Sequence, residues 1–191
     1  MARLGMSTFG HPVSTPATSS TVRPSGRQGA TRVTVPEAPI TVSKLSLYCS
    51  NANAAAQVIT GFILADVAGT PKKPGAVLGT TAEMSIPASS NGAWRDASFA
   101  VPVQLASTAT VWLGTMWGTT TNQAIFAYTS TGGYSDFING TYPTWTTTGW
   151  GSNGGTQIYG VYATYTVDAA SACPVNLLKT HIFNKGVIQS G

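Results

Sequence analysis

The sequence predicts an all-β protein, a single antiparallel β-sandwich of about eight strands. Apolar runs of strand length, rich in β-branched and aromatic residues, recur between Gly- and Pro-rich turns. Phe99, Val101, Val103 and Leu105 follow the period of two that is typical of a strand. Charged residues make up only 8% of the chain, against about a quarter in average proteins. Thr, Ser, Asn and Gly supply the polarity instead, which favours a turn-rich β protein over a typical metabolic enzyme.

The strands can be placed in chain order from these runs and turns. Residues 36–50 contain the first strand, and residues 58–117 form a block of four strands separated by Pro/Gly turns. A further strand is predicted at 123–129 and the last at 157–167, where tyrosines mixed with apolar residues indicate one aromatic face. The segment 130–157 is predicted to be a long loop.

The order of turn and core residues in this block resembles a jelly-roll-like β-sandwich module of bacteriophage minor tail and appendage proteins. The resemblance covers residues 40–168 and implies a fold more than an activity. The residues that carry it are Asp66, Gly69, Pro74, Gly75, Leu78, Thr80, Trp94, Phe99, Pro102, Val103, Leu105 and Trp112.

Composition divides the chain into three parts. Residues 1–35 form an extended basic arm rich in Ser, Thr, Pro and Gly, residues 36–168 form the sandwich domain, and residues 169–191 form a C-terminal strap. The apolar clusters of the strap predict burial against the domain or a neighbouring subunit, because exposed clusters of this kind promote aggregation.

The arm carries four arginines and no acidic residue, so its charge is +4. Two interpretations are open: a solvated, disordered leader, or an assembly arm that orders on a neighbouring subunit, which we favour. Nucleic-acid binding is disfavoured because the arginines are spread out rather than clustered with aromatic residues. The predicted assembly residues are Arg3, Arg23, Arg27 and Arg32.

No catalytic set, cofactor site or metal site is predicted. Two cysteines and two histidines, scattered along the chain, lack the spacing of metal ligands. The sequence has no nucleophile elbow, phosphate-binding loop or paired-histidine zinc motif. Cys49 and Cys173 could form a disulfide or remain unrelated thiols, and a reducing cytoplasm disfavours the disulfide.

The long loop is the candidate contact site for a glycan or a partner. Aromatic rings stack on the C–H face of a sugar, and neighbouring Asn and Asp side chains can read its hydroxyls. The interpretation that we favour for the two tryptophans is that they pin the loop to the sandwich or to a neighbouring subunit. The candidate residues are Tyr134, Asp136, Tyr142, Trp145 and Trp150. Trp94, Trp112 and Trp117 are predicted to lie in the core or at its edge.

These features predict a non-enzymatic bacteriophage virion protein, either a minor tail or appendage component or a capsid decoration protein. Its expected partners are other virion subunits, further copies of itself and a host surface glycan. The alternative is a carbohydrate-binding module of a bacterial cell-surface protein. We expect no secretion signal and no membrane insertion, because no apolar run reaches the required length. The predicted location is therefore the virion, assembled in the host cytoplasm.

Overall fold

A computed structural model describes residues 6–11, 19–22, 26–36, 38–51, 54–69, 72–118, 124–129, 135–150 and 158–168. These residues form strands and connecting turns, and all strand pairs are antiparallel, which confirms the predicted all-β class. The described residues contain twelve strands, nine of which follow one another across the main sheet, where about eight were predicted. They are β1 (Ser7–His11), β2 (Ser19–Val22), β3 (Arg27–Thr34), β4 (Ile40–Asn51), β5 (Gln57–Val67), β6 (Lys73–Ile86), β7 (Ser90–Leu105), β8 (Thr110–Trp117), β9 (Ala124–Thr129), β10 (Ser135–Asn139), β11 (Ile158–Tyr159) and β12 (Val161–Val167).

One curled sheet runs in the order β1-β12-β4-β7-β6-β5-β8-β3-β10, with β9, β2 and β11 as a side branch on β4. We call β1, β12, β4 and β7 the first half-sheet, and β6, β5, β8, β3 and β10 the second half-sheet. The halves join where β6 pairs with β7 at Thr81 and Phe99. Their inner faces pack against each other, so the curled sheet is compatible with a sandwich.

The core between the half-sheets follows from side-chain alternation. On β8, Val111, Leu113 and Trp117 point into this core, while Trp112 and Met116 point to the opposite face. On β4, Val42 and Leu45 both face the core because a bulge between Val42 and Lys44 shifts the register. A buried, mostly β-branched and aromatic interior of this kind is the main source of folding free energy.

The N-terminal segment is not a separate arm throughout, which corrects the predicted boundary at residue 36. Strand β3 lies between β8 and β10 in the second half-sheet, and its Gln28, Ala30 and Thr31 are fully buried. The boundary was misplaced because β3 contributes small and polar residues, while neighbouring elements supply the large apolar side chains. The polar side chains of β3 form hydrogen bonds within the fold: the Thr31 Oγ1 accepts a hydrogen bond from the Tyr159 backbone N–H at 3.2 Å. The predicted strap, residues 169–191, lies outside the described residues.

Cys49 is a free thiol buried in the core, where burial raises its pKa to about 12. Cys173 lies outside the described residues, so the expectation that the two cysteines do not pair stays a prediction. Because the thiolate is the reactive form, we expect Cys49 to resist iodoacetamide in the native protein at pH 8 and to react fully in denaturant. Peptide mapping by mass spectrometry measures this, and rapid native modification of Cys49 would contradict the placement.

Candidate functional surfaces

The outer face of the second half-sheet is covered by the chain itself. Phe62, Leu64, Trp112 and Met116 project from β5 and β8 on this side, away from the central core. They form a second apolar cluster with side chains of the 138–150 segment. The centre of the half-sheet, β5 and β8, is therefore buried on both faces, as the continuous apolar run of β5 indicates.

Trp145 and Trp150 belong to this cluster and are only 8% and 6% exposed. Their rings stack at 5.2 Å with an interplanar angle of 17°, and Trp145 also packs on Phe62 at 4.7 Å between centroids. Gly114 makes room for the contact, because a Cβ there would lie 2.8 Å from the Trp145 ring. Neither tryptophan presents a ring face to a sugar in this structure, which corrects the expectation of an outward aromatic platform.

Polar contacts anchor the same segment. The Gln28 side chain donates to the Thr144 carbonyl at 3.3 Å and accepts from the Thr146 N–H at 3.1 Å. The Trp150 Nε1 donates to the Thr146 carbonyl at 2.6 Å. A buried side chain from β3 thus supplies hydrogen bonds that a segment without regular structure would otherwise lack.

Tyr142 holds the same segment against β5 and β6. Its hydroxyl donates to the Glu83 carboxylate and lies 2.9 Å from the Thr60 Oγ1. Burial and the hydrogen bond to Glu83 raise the pKa of Tyr142. Tyr134 lies outside the described residues, and Asp136 is described only as part of the β10 backbone. Contact of these residues with a glycan therefore stays a prediction.

Arg32 is engaged within the chain rather than offered to a neighbour, which corrects its assignment to an assembly arm. It makes two hydrogen bonds to Asp66, at 2.9 and 2.8 Å, and the same carboxylate accepts from the Trp112 Nε1 at 2.8 Å. These contacts, with the Arg32 hydrogen bond as the largest cause, lower the pKa of Asp66 despite its partial burial. Arg27 lies at the start of β3, opposite Asn139. Arg3 and Arg23 lie outside the described residues.

The first half-sheet carries aromatic side chains on its outer face. Tyr48, Trp94 and Tyr162, here called the aromatic surface, project from β4, β7 and β12, whose alternate residues face the core. The ring centroid of Trp94 lies 5.4 Å from that of Tyr48 and 4.7 Å from that of Tyr162, and both contacts are edge-to-face. The Trp94 and Tyr162 rings meet above the small residue Ser46 of the intervening strand. All three rings are half-buried, so Trp94 lies outside the core itself, whereas the sequence predicted a place in the core or at its edge.

An ion pair adjoins the aromatic surface. The Lys44 ammonium lies 2.5 Å from the Asp96 carboxylate, which also accepts from the Ser46 hydroxyl at 2.6 Å. Burial opposes ionisation of Asp96, but the hydrogen bonds from Lys44 and Ser46 outweigh it and lower the pKa of Asp96. Asp96 is therefore an ionised structural partner at neutral pH.

A polar cleft of ≈ 370 Å³ continues from the aromatic surface toward the β6–β7 turn. Hydroxyl and amide groups dominate its wall. The lining residues are Ser50, Asn51, Ser89, Ser90, Asn91 and Gly92.

Two edges of the curled sheet are unpaired among the described strands. There, β1 pairs only with β12 and β10 pairs only with β3. Strand β1 also lies close to β3, the neighbour of β10. Each edge presents backbone N–H and C=O groups that another strand can pair with.

No protein-family model matches this chain, and no curated protein is similar to it at a significant level. Within the described ranges, no cluster of three or more His, Cys, Asp or Glu residues could hold a metal ion. No helix in the same part of the chain is long and apolar enough to cross a membrane.

The aromatic surface was not predicted from the sequence. The expected aromatic face of the last strand is not present, because Tyr162 and Tyr165 are three positions apart and lie on opposite faces of β12, with Tyr165 in the core. Tyr48 and Trp94 lie more than sixty residues before β12. Only the pairing of β12 with β4 and of β4 with β7 brings the three rings together.

Proposed function

We propose that this protein is a non-enzymatic structural subunit of a bacteriophage virion, a minor tail or appendage component or a capsid decoration protein, that assembles with copies of itself. The observation that carries the proposal is the presence of two open edges of the curled sheet, β1 and β10, which are unpaired among the described strands. The resemblance of residues 40–168 to tail and appendage modules directs the proposal to a virion.

The edge at β1 is poorly protected against strand addition. Proteins usually block exposed edges with charged residues, prolines or bulges. Strand β1 contains no Asp, Glu, Lys or Arg, and burial lowers the pKa of His11, so the strand is uncharged at neutral pH. Met6, just before it, is 76% exposed. These features favour pairing of β1 with an edge strand of a second copy.

The environments of the acidic residues support a non-catalytic role. Asp66 is held by Arg32 and Trp112, and Asp96 by Lys44 and Ser46. Glu83 accepts from Tyr142, and Asp168 accepts from Thr41 at 2.6 Å. Each of these four carboxylates is bonded to a non-acidic partner, whereas hydrolases of glycans need two carboxylates flanking the scissile bond.

The alternative is a carbohydrate-binding module of a bacterial cell-surface protein, and the aromatic surface favours it. Self-assembly favours the virion subunit, because a binding module needs no second copy to hold a glycan. Glycan binding alone does not distinguish the two functions, since a virion protein can also contact a host glycan.

Analytical ultracentrifugation of the full chain tests the proposal. We expect a concentration-dependent mass above the 19.7 kDa of one chain. Thr8→Lys places a charge on the exposed edge of β1 and should return the protein to a monomer, because a lysine disfavours edge pairing. Ala88→Lys, in the exposed β6–β7 turn, is the matched control and should assemble like the wild type.

A wild-type chain that stays monomeric at all concentrations would contradict self-assembly. If Thr8→Lys assembled like the wild type, assembly would not occur through the β1 edge.

A further inference from the structure

We propose that the aromatic surface and the adjoining polar cleft form a binding site for a neutral glycan. The site uses Tyr48, Trp94 and Tyr162 as a stacking platform and the cleft between residues 50–51 and 89–92 to read hydroxyl groups. This inference goes beyond the proposed assembly and does not rest on it, because every residue of the site comes from one chain.

The rings are held in place before any ligand arrives. Trp94 contacts both tyrosines edge-to-face, at interplanar angles of 74° and 63°. This arrangement is favourable for aromatic pairs and limits ring rotation. Because the rings stand on three adjacent, hydrogen-bonded strands, ligand binding costs little ordering of the protein. All three rings retain part of their surface in solvent, unlike Trp145 and Trp150.

Gly92 joins the platform to the cleft. A Cβ at this position would lie 2.8 Å from the Tyr48 hydroxyl, so the Tyr48 ring can approach the β7 backbone only because residue 92 is glycine. Gly92 also lines the cleft. A glycine within a strand often marks a place where a ligand or another group approaches the backbone closely.

The cleft offers neutral hydrogen-bonding groups next to the platform. Ser50 is half-buried and Asn91 is exposed, so a hydroxyl and an amide border the opening. The Ser90 Oγ is buried in the wall and has no hydrogen-bond partner in the part of the chain that the structure describes. Sugar hydroxyls both donate and accept, and Ser and Asn side chains do the same. Apolar ring faces beside such groups match the mixed character of a pyranose.

The charges of the site favour a neutral glycan over an acidic one. Lys44 and Asp96 neutralise each other, because the ammonium and the carboxylate form an ion pair at 2.5 Å. An acidic sugar would have to compete with Asp96 for Lys44 and would meet a carboxylate that is 48% exposed. A basic sugar would have to displace both Lys44 and Ser46 from Asp96.

Binding of the full chain to neutral oligosaccharides tests the site. We would titrate hexasaccharides of glucose, mannose, galactose and N-acetylglucosamine by isothermal titration calorimetry, with an oligogalacturonate as the acidic comparison. We expect saturable binding of at least one neutral hexasaccharide. Trp94→Ala and Tyr162→Ala should each weaken it about tenfold or more, by analogy with the stacking of bases on aromatic side chains.

Two variants separate loss of the platform from loss of the fold. Trp94→Phe keeps an aromatic ring and should retain more affinity than Trp94→Ala. Val101→Ala removes an apolar side chain that is 78% exposed and lies outside the site, and it should bind like the wild type. Circular dichroism identifies any variant that fails to fold.

The proposal is overturned if no neutral hexasaccharide binds, if only the acidic oligosaccharide binds, or if folded Trp94→Ala and Tyr162→Ala bind as tightly as the wild type. None of these results bears on self-assembly, which sedimentation measures separately.

Discussion

Trp145→Ala is expected to lower the free energy of unfolding by about 3–5 kcal/mol, the usual cost of removing a buried aromatic side chain. The indole packs between Phe62 and Trp150 and above Gly114, so alanine would leave a cavity against three neighbours. The segment that covers the second half-sheet would also lose its central apolar contact. Urea denaturation at neutral pH, followed by far-ultraviolet circular dichroism, measures the change.

Trp94→Ala is the matched control for this substitution. Trp94 is also an indole at an outer sheet face, but it stands on the sheet itself and is only half-buried. A smaller loss of stability is therefore expected. If Trp145→Ala cost less than Trp94→Ala, the segment 138–150 would not be packed on the sheet as described, and an exposed loop would again be the better interpretation.

Asp66→Asn is expected to destabilise the fold by about 1.5–3 kcal/mol at pH 7, the range for hydrogen bonds to charged groups. The substitution removes the charge from a carboxylate that accepts from both Arg32 and Trp112 and is 14% exposed. Arg32 would be left with a neutral partner in a partly buried site, which raises the cost.

The effect of Asp66→Asn should depend on pH. The contacts with Arg32 and Trp112 lower the pKa of Asp66 in the folded state. A lowered pKa contributes stability that is fully present above the unfolded pKa, about 3.9, and is lost as the pH falls through the folded value. The wild type should therefore exceed Asp66→Asn in free energy of unfolding by a constant amount from pH 7 to 5. This excess should shrink below about pH 4.

Denaturation curves at a series of pH values measure this difference. Asp96→Asn provides a comparison, because its ion pair with Lys44 is more exposed and is expected to contribute less. If the free energies of unfolding of the wild type and Asp66→Asn differed by the same amount from pH 7 to pH 2, the charge of Asp66 would not stabilise the fold.

The sequence predicted the strands that carry their own apolar pattern. Strands β5 to β8 were located because each combines β-branched or aromatic residues with Pro or Gly turns. Strand β3 was missed because its buried positions are Gln28, Ala30 and Thr31, which resemble a polar arm when their neighbours are unknown. Its burial is created by Trp145 and Tyr159, which follow it by more than a hundred residues.

The candidate sites show the same dependence on distant pairing. Trp145 and Trp150 have the composition of a binding loop, and nothing local distinguishes an exposed ring from one that covers a sheet. Tyr48, Trp94 and Tyr162 each looked like ordinary strand residues. Their common surface arises from the register that pairs Tyr48 with Trp94 and Tyr162 with Ser46.

Amide hydrogen exchange of the assembled chain against monomeric Thr8→Lys tests the central claim, assembly through the open strand edges with the aromatic surface left free. We predict that assembly slows exchange at residues 7–11 and 135–139 and leaves residues 44–48, 94–98 and 162 unchanged. The opposite pattern, with protection over the aromatic surface and none at β1 or β10, would mean that copies pack through that face. The edge-pairing account would then be contradicted.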